Sequence, residues 1–240
     1  IINFNTLAQK LYIPISDPEI INIYKTGNKS PGGEYLSKDS EGIIRIKGKF
    51  NKLIPVGKWY IFFKDGSLMA YYNYNEEGQL DGIFVEYHEN SQLKVSGYFK
   101  NNLQNKLWKT FYKDGNEESV GEMLNGKKYK IWLNYHPNGK LKELSNYNVD
   151  GLLSGDYVSY DNFGVAINKA YYTDGKIDGE YYEFYSNEQI ALRGYYTNGL
   201  KDSLWTEYGP FGRITFEKRF KNDLPHLKWT YYYESTSSIQ

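Results

Sequence analysis

The chain has 240 residues, with 29 basic side chains against 29 acidic ones and no cysteine. Disulfides and thiolate metal sites are therefore excluded, and the balanced charge offers no basic stripe for a phosphate backbone, so nucleic acid is not an expected partner. No run of about 18 apolar residues is present, so no membrane-spanning helix is expected. Aromatic residues make up 18% of the chain, 26 of them Tyr, so the surface available for burial is largely rings that keep a polar edge. The chain starts at Ile1 without a signal-like apolar segment and reads as mature or trimmed; a cytoplasmic, cell-surface or secreted location all remain open.

Residues 1–32 stand apart from the rest of the chain. Residues 5–12 read as a short helix that Pro14 and Pro18 stop early, and Glu19-Ile20-Ile21-Asn22-Ile23-Tyr24 reads as a strand. The segment is expected to cap the apolar end of the structure after it, with Ser30-Pro31-Gly32-Gly33 turning into that structure.

From Gly33 onward the chain repeats. Units start at Gly33, Gly57, Gly82, Lys106, Lys130, Gly155, Gly179, Ser203 and Leu227, at intervals of 24 or 25 residues, giving eight full units and a partial ninth over 33–234. Residues 235–240 read as a tail. Two residues into each unit stands an aromatic, from Tyr35 and Trp59 to Trp229; three residues later comes a second, as in Phe62 and Tyr87; a third closes the unit, as in Phe50 and Tyr74. Asx-Gly dipeptides such as Asp65-Gly66 and Asn125-Gly126 punctuate the runs, accept positive φ and predict tight primed hairpin turns. The fold class expected is all-β: an elongated, solenoid-like antiparallel meander of stacked two-stranded hairpins, with about sixteen strands. The extra residue of the 25-residue units falls in the second turn, at Asn75-Glu76-Glu77-Gly78 and Asn148-Val149-Asp150-Gly151. Gly48, Gly97, Gly121 and Gly194 share one column of the core face, where a missing side chain leaves room for a ring. The first two aromatic columns are three residues apart, so either a bulge intervenes or aromatics line both faces.

The pattern Gly-x-Trp-x-x-Tyr-x-x-Asn-Gly-x-Leu, with Lys130 to Tyr147 (KIWLNYHPNGKLKELSNY) as its best copy, resembles the MORN repeat family, in the bacterial variant found in YwqK-type antitoxin proteins. The resemblance covers about residues 33–234, with departures at Ser91 and Glu188, which replace the first-turn Gly. It implies a β-hairpin repeat fold and a scaffold that binds partners, sometimes at membranes. Such repeats also accompany lipid kinases, but this chain has no Gly-rich phosphate loop and no HRD or DFG counterpart.

Little catalytic chemistry can be assembled. His88, His136 and His226 are the only histidines and read as surface or packing residues, and the Asp and Asn before Gly read as turn formers rather than metal ligands. No catalytic residue, cofactor or metal site is expected. Lys127-Lys128-Tyr129-Lys130 reads as a solvated edge. The Trp column reads as core staples; an open ridge stacking on sugars is the alternative. The function expected is non-catalytic: a protein partner held along an aromatic-rich β surface, as in an antitoxin or a surface interaction module, the alternative being an adhesin for a glycan or a membrane surface. Candidate contacts are Phe63, Tyr98, Tyr112, Tyr171, Tyr185 and Tyr195, on the face opposite the core, with Asp161 and Glu183 adding acidity to the same side. Over 155–202 there are four basic residues against eight acidic ones, which would steer a basic partner there.

Overall fold

The computed structural model describes Pro14, residues 17–26, residues 32–227 and residues 229–232. The helix expected at 5–12, the turn residues Ser30 and Pro31, and the tail at 235–240 lie outside these. One helix, α1 (Pro18–Thr26), is followed by β1 (Gly32–Lys38), β2 (Ile44–Asn51), β3 (Ile54–Phe62), β4 (Leu68–Tyr74), β5 (Gly82–Tyr87), β6 (Leu93–Lys100), β7 (Leu103–Phe111), β8 (Glu117–Leu124) and β9 (Lys127–Tyr135). Then come β10 (Leu141–Tyr147), β11 (Leu153–Tyr160), β12 (Ala166–Thr173), β13 (Lys176–Phe184), β14 (Ile190–Thr197), β15 (Leu200–Tyr208) and β16 (Ile214–Lys221), with two short segments, β17 (Leu224–Pro225) and β18 (Thr230–Tyr231). The all-β class and two strands per unit agree with the repeat reading. The chain divides into two compact units, the first running to Glu117 and taking in Met123–Gly126, the second made of Glu118–Glu122 and the residues from Lys127 on.

In the first unit β1 to β7 pair consecutively and antiparallel; in the second, β9 to β16 do the same, and β16 also takes β17 and β18. Each repeat start is a point of positive φ, held by glycine at Gly57 and Gly179 and by Lys106, Lys130 and Ser203 elsewhere. Immediately after it the register slips. Tyr98 pairs with Asn105 and Ser96 with Lys109, so Lys106, Leu107 and Trp108 bulge opposite Gly97 alone.

That bulge lays the indole flat on the glycine. A Cβ built on Gly48, Gly97, Gly121 or Gly194 would fall 2.3 to 2.4 Å from Trp59, Trp108, Trp132 or Trp205, respectively. Where the column holds Tyr72, Ser145 or Ala170, the matching ring of the next unit is the smaller Phe84, Tyr157 or Tyr181. The rings then meet edge to face in series: Phe84–Phe99 at 5.6 Å and Phe99–Trp108 at 5.3 Å in the first unit, Tyr181–Tyr196 at 5.6 Å and Tyr196–Trp205 at 5.0 Å in the second. Those four tryptophans are buried, so they are core staples and present no open ridge to a sugar. The second aromatic column points the other way: Phe184 stacks with Tyr182 at 6.2 Å, on the side opposite the Tyr181 ring. Both options left open by the spacing are thus realised: a bulge, and aromatics on both faces.

The turns come in two kinds. Second turns of 24-residue units are two-residue primed hairpins with both φ positive, as at Asn125 (51°) and Gly126 (81°) or Asn198 (53°) and Gly199 (86°). First turns are not primed. Phe63 N donates to Ser67 O and Gly66 N to Phe63 O, the pattern of a type I turn closed by one left-handed residue. The second turns of the 25-residue units adopt this longer form too, at Asn75–Gly78 and Asn148–Gly151, so the additional residue is absorbed in the turn.

The strand expected at residues 19–24 is helical instead. Asp17 caps α1, its Oδ1 accepting from Glu19 N at 2.8 Å and Ile20 N at 3.2 Å, and Pro18 occupies the first helical position, where its missing N–H costs nothing. Ile20 and Ile23 are buried, and α1 lies against β1 and β2. Arg45, only 2% exposed, reaches from β2 to Glu19 at 3.2 Å, Asp39 at 3.5 Å and the Phe62 carbonyl at 3.0 Å.

Candidate functional site

On the face opposite the ring layer, cross-strand neighbours of the second unit pair an acid with a tyrosine: Asp156 with Tyr171, and Glu180 with Tyr195. Strand alternation turns these tyrosines away from the ring layer because their neighbours Ala170, Tyr172, Gly194 and Tyr196 face it. Tyr171 and Tyr195 stay 48% and 41% exposed. Together they line one shallow hollow with Asp156, Lys169, Asp178, Glu180 and Tyr182. Its floor is pre-ordered. Glu180 accepts from Tyr182 Oη at 2.8 Å and from Arg193 Nη2 at 2.9 Å, and these bonds, the tyrosine's first, hold its carboxyl below the usual range. The Arg193 guanidinium lies 5.7 Å from the Tyr182 ring centre. Asp178 accepts from Asn198 N at 3.3 Å, and Asp156 forms no ion pair among the described residues. The hollow therefore offers two partly exposed rings beside carboxylates, an arrangement suited to a cationic side chain with an apolar stem.

The other candidate contacts lie elsewhere. Glu183 is on the ring face, where it accepts from Tyr181 Oη at 2.8 Å, so it does not share a side with Tyr171 and Tyr195. Tyr185 is half-buried and donates to the Tyr208 carbonyl at 2.7 Å, tying one first turn to the next. His88 does the same to Phe111 O at 2.8 Å and His136 to Tyr160 O at 3.0 Å. Asp161 is a turn former, its Oδ1 accepting from Phe163 N and Val165 N at 2.8 and 2.9 Å. In the first unit Phe63 and Tyr112 are half-buried at first turns, and Tyr98 is covered by Lys106 Nζ at 3.9 Å while its hydroxyl bonds Asp81 at 3.3 Å. Sequence reasoning missed Asp156, Lys169, Asp178, Glu180 and Tyr182. The signal for two of them was there: the residue after the repeat start pairs with the residue after the glycine column, and only in these two units is that pair an acid and a tyrosine.

Among the described residues no cluster of His, Asp and Glu could hold a metal ion, and no helix is long and apolar enough to cross a membrane. No curated protein matches the chain. Repeats of the MORN type are generally protein or membrane interaction modules and are not enzymes. Two stretches of this chain, residues 80–101 and 128–148, match the family model described as MORN repeat variant.

Proposed function

We propose that the chain is a non-catalytic scaffold that binds a protein partner through the tyrosine hollow of its second unit, the partner contributing a basic side chain. The observation that carries this reading is the pair of strand-interior tyrosines on the face opposite the ring layer, 48% and 41% exposed and each paired across strands with an acidic residue. Exposed rings next to charge are the usual material of binding hot spots. An antitoxin-like role would be one use of such a scaffold, with a basic toxin surface as its target.

The test is affinity capture with the full chain, followed by titration of the captured protein. Tyr171→Ala and Tyr195→Ala are each expected to weaken binding by about 1 to 2 kcal/mol with little change in melting, since exposed rings act at the interface. A large loss of stability with binding retained by the folded fraction would contradict this assignment.

A further inference from the structure

We infer that the tyrosine hollow takes a proline-rich segment in the polyproline II conformation, carrying two arginines three residues apart, Arg-x-x-Arg. The inference rests on the reading of the hollow as the site of a basic partner, and it assigns that partner's conformation and spacing.

The hollow holds the same station twice. Asp156 faces Tyr171 across β11 and β12, and Glu180 faces Tyr195 across β13 and β14. Tyr171 and Tyr195 are therefore two strands apart, and since neighbouring strands lie roughly 4.8 Å from each other, the stations are spaced by about 9.6 Å. The series stops at two. The equivalent pairs on either side are Ile131 with Asn146 and Leu204 with Arg219, and neither contains an acid. Each station suits an arginine, whose guanidinium can lie on the phenol ring while its fork reaches the carboxylate beside it. Glu180 Oε1 accepts from Arg193 and Oε2 from Tyr182, but a carboxylate has about four lone-pair sites, so each oxygen has one to offer.

The spacing selects the backbone that can present two arginines. Polyproline II has three residues per turn at about 3.1 Å each, so residues three apart share a face and lie about 9.3 Å from each other. In a β-strand the residues that share a face are about 6.8 or 13.5 Å apart. An added strand also needs an open sheet edge, whereas β12 and β14 are paired on both sides. A helix brings every seventh residue to about 10.5 Å, but it docks by an apolar face, and this hollow is lined by Asp178, Glu180 and Lys169. The polyproline backbone has no internal hydrogen bonds, so its carbonyls are open to a donor such as the exposed Lys169. Lys169 and Arg193, paired with Tyr182 from either side, also repel any cation placed between the two arginines. That sets this ligand apart from a polybasic tract.

The experiment is fluorescence anisotropy of the full chain with labelled polyproline peptides that carry two arginines separated by two, three or four residues, or one arginine alone. The three-residue separation should bind about tenfold more tightly than the rest, and added salt should weaken it. Replacing both arginines of that peptide by lysine should lower its affinity. Asp156→Asn and Tyr195→Ala, one at each station, should each bring the three-residue peptide down to the single-arginine level with little change in melting temperature. Equal affinity for all separations, or no binding of any peptide, would overturn the inference. If a protein captured by the full chain still loses affinity on Tyr171→Ala or Tyr195→Ala in that event, the hollow is a partner site and only the conformation and spacing assigned to the partner are wrong. If that affinity is unchanged as well, the reading of the hollow falls with them.

Discussion

A Cβ at Gly97 would stand 2.4 Å from a Trp108 ring carbon, a distance no real side chain tolerates. Gly97→Ala should therefore displace the indole and cost roughly 1 to 3 kcal/mol, as overpacking does. Adding Trp108→Tyr should return part of that cost, because Ala170 already coexists with Tyr181 at the equivalent place. Chemical denaturation of the two single variants and the double would show the coupling; strictly additive effects would mean the size match is incidental. This much was legible in the chain, since the four glycines that precede a tryptophan by eleven residues are the ones expected to make room for a ring. What the sequence left open was which ring fills the gap. That depends on the bulge, and the bulge arises from positive φ at repeat starts such as Lys106 and Ser203, residue types that do not announce it.

Turns were legible as positions and less so as types. Asx-Gly dipeptides mark turns of both kinds, but only the second turn of a 24-residue unit has the two positive φ angles of a primed turn. Whether one or two residues adopt positive φ depends on loop length, which a dipeptide does not contain. Glu188 and Ser91 stand where the other first turns have Gly, and both are held at φ 65°. The side chains there serve no turn geometry, so Glu188→Gly should stabilise the protein by about 0.5 to 1 kcal/mol, after glycine's larger chain entropy offsets part of the relieved strain. A lower melting temperature in that variant would show that the Glu188 side chain contributes more than its backbone costs. Helix α1 was misread for a related reason. Pro18 looks like a stop signal after residues 5–12, yet behind Asp17 it is a start signal, and the apolar run after it fits either period over so short a length.

For the molecule as a whole, the sequence distinguished the ring-packed face from the other one but could not sort side chains at the turns. Tyr171 and Tyr195 lie on the face opposite the ring layer because strand parity governs them, whereas Tyr185, beside a turn, reaches the next turn's carbonyl instead of solvent. The repeat register itself yields the sharpest expectation. If each hairpin packs mainly on its neighbours, whole units should be removable, but only where the new neighbours match in size. Deleting residues 155–178 brings Tyr181 opposite Ser145, the place Tyr157 now holds, and should leave a shorter chain that folds cooperatively. Deleting residues 179–202 also removes 24 residues but sets Trp205 against Ala170, whose Cβ occupies the space that Gly194 leaves open. That variant should be markedly less stable, and Ala170→Gly should rescue it. Denaturation midpoints for the three chains decide the matter. Equal loss in both deletions, unrelieved by the glycine, would mean that packing beyond nearest neighbours, and not the ring-to-glycine match, governs how these repeats join.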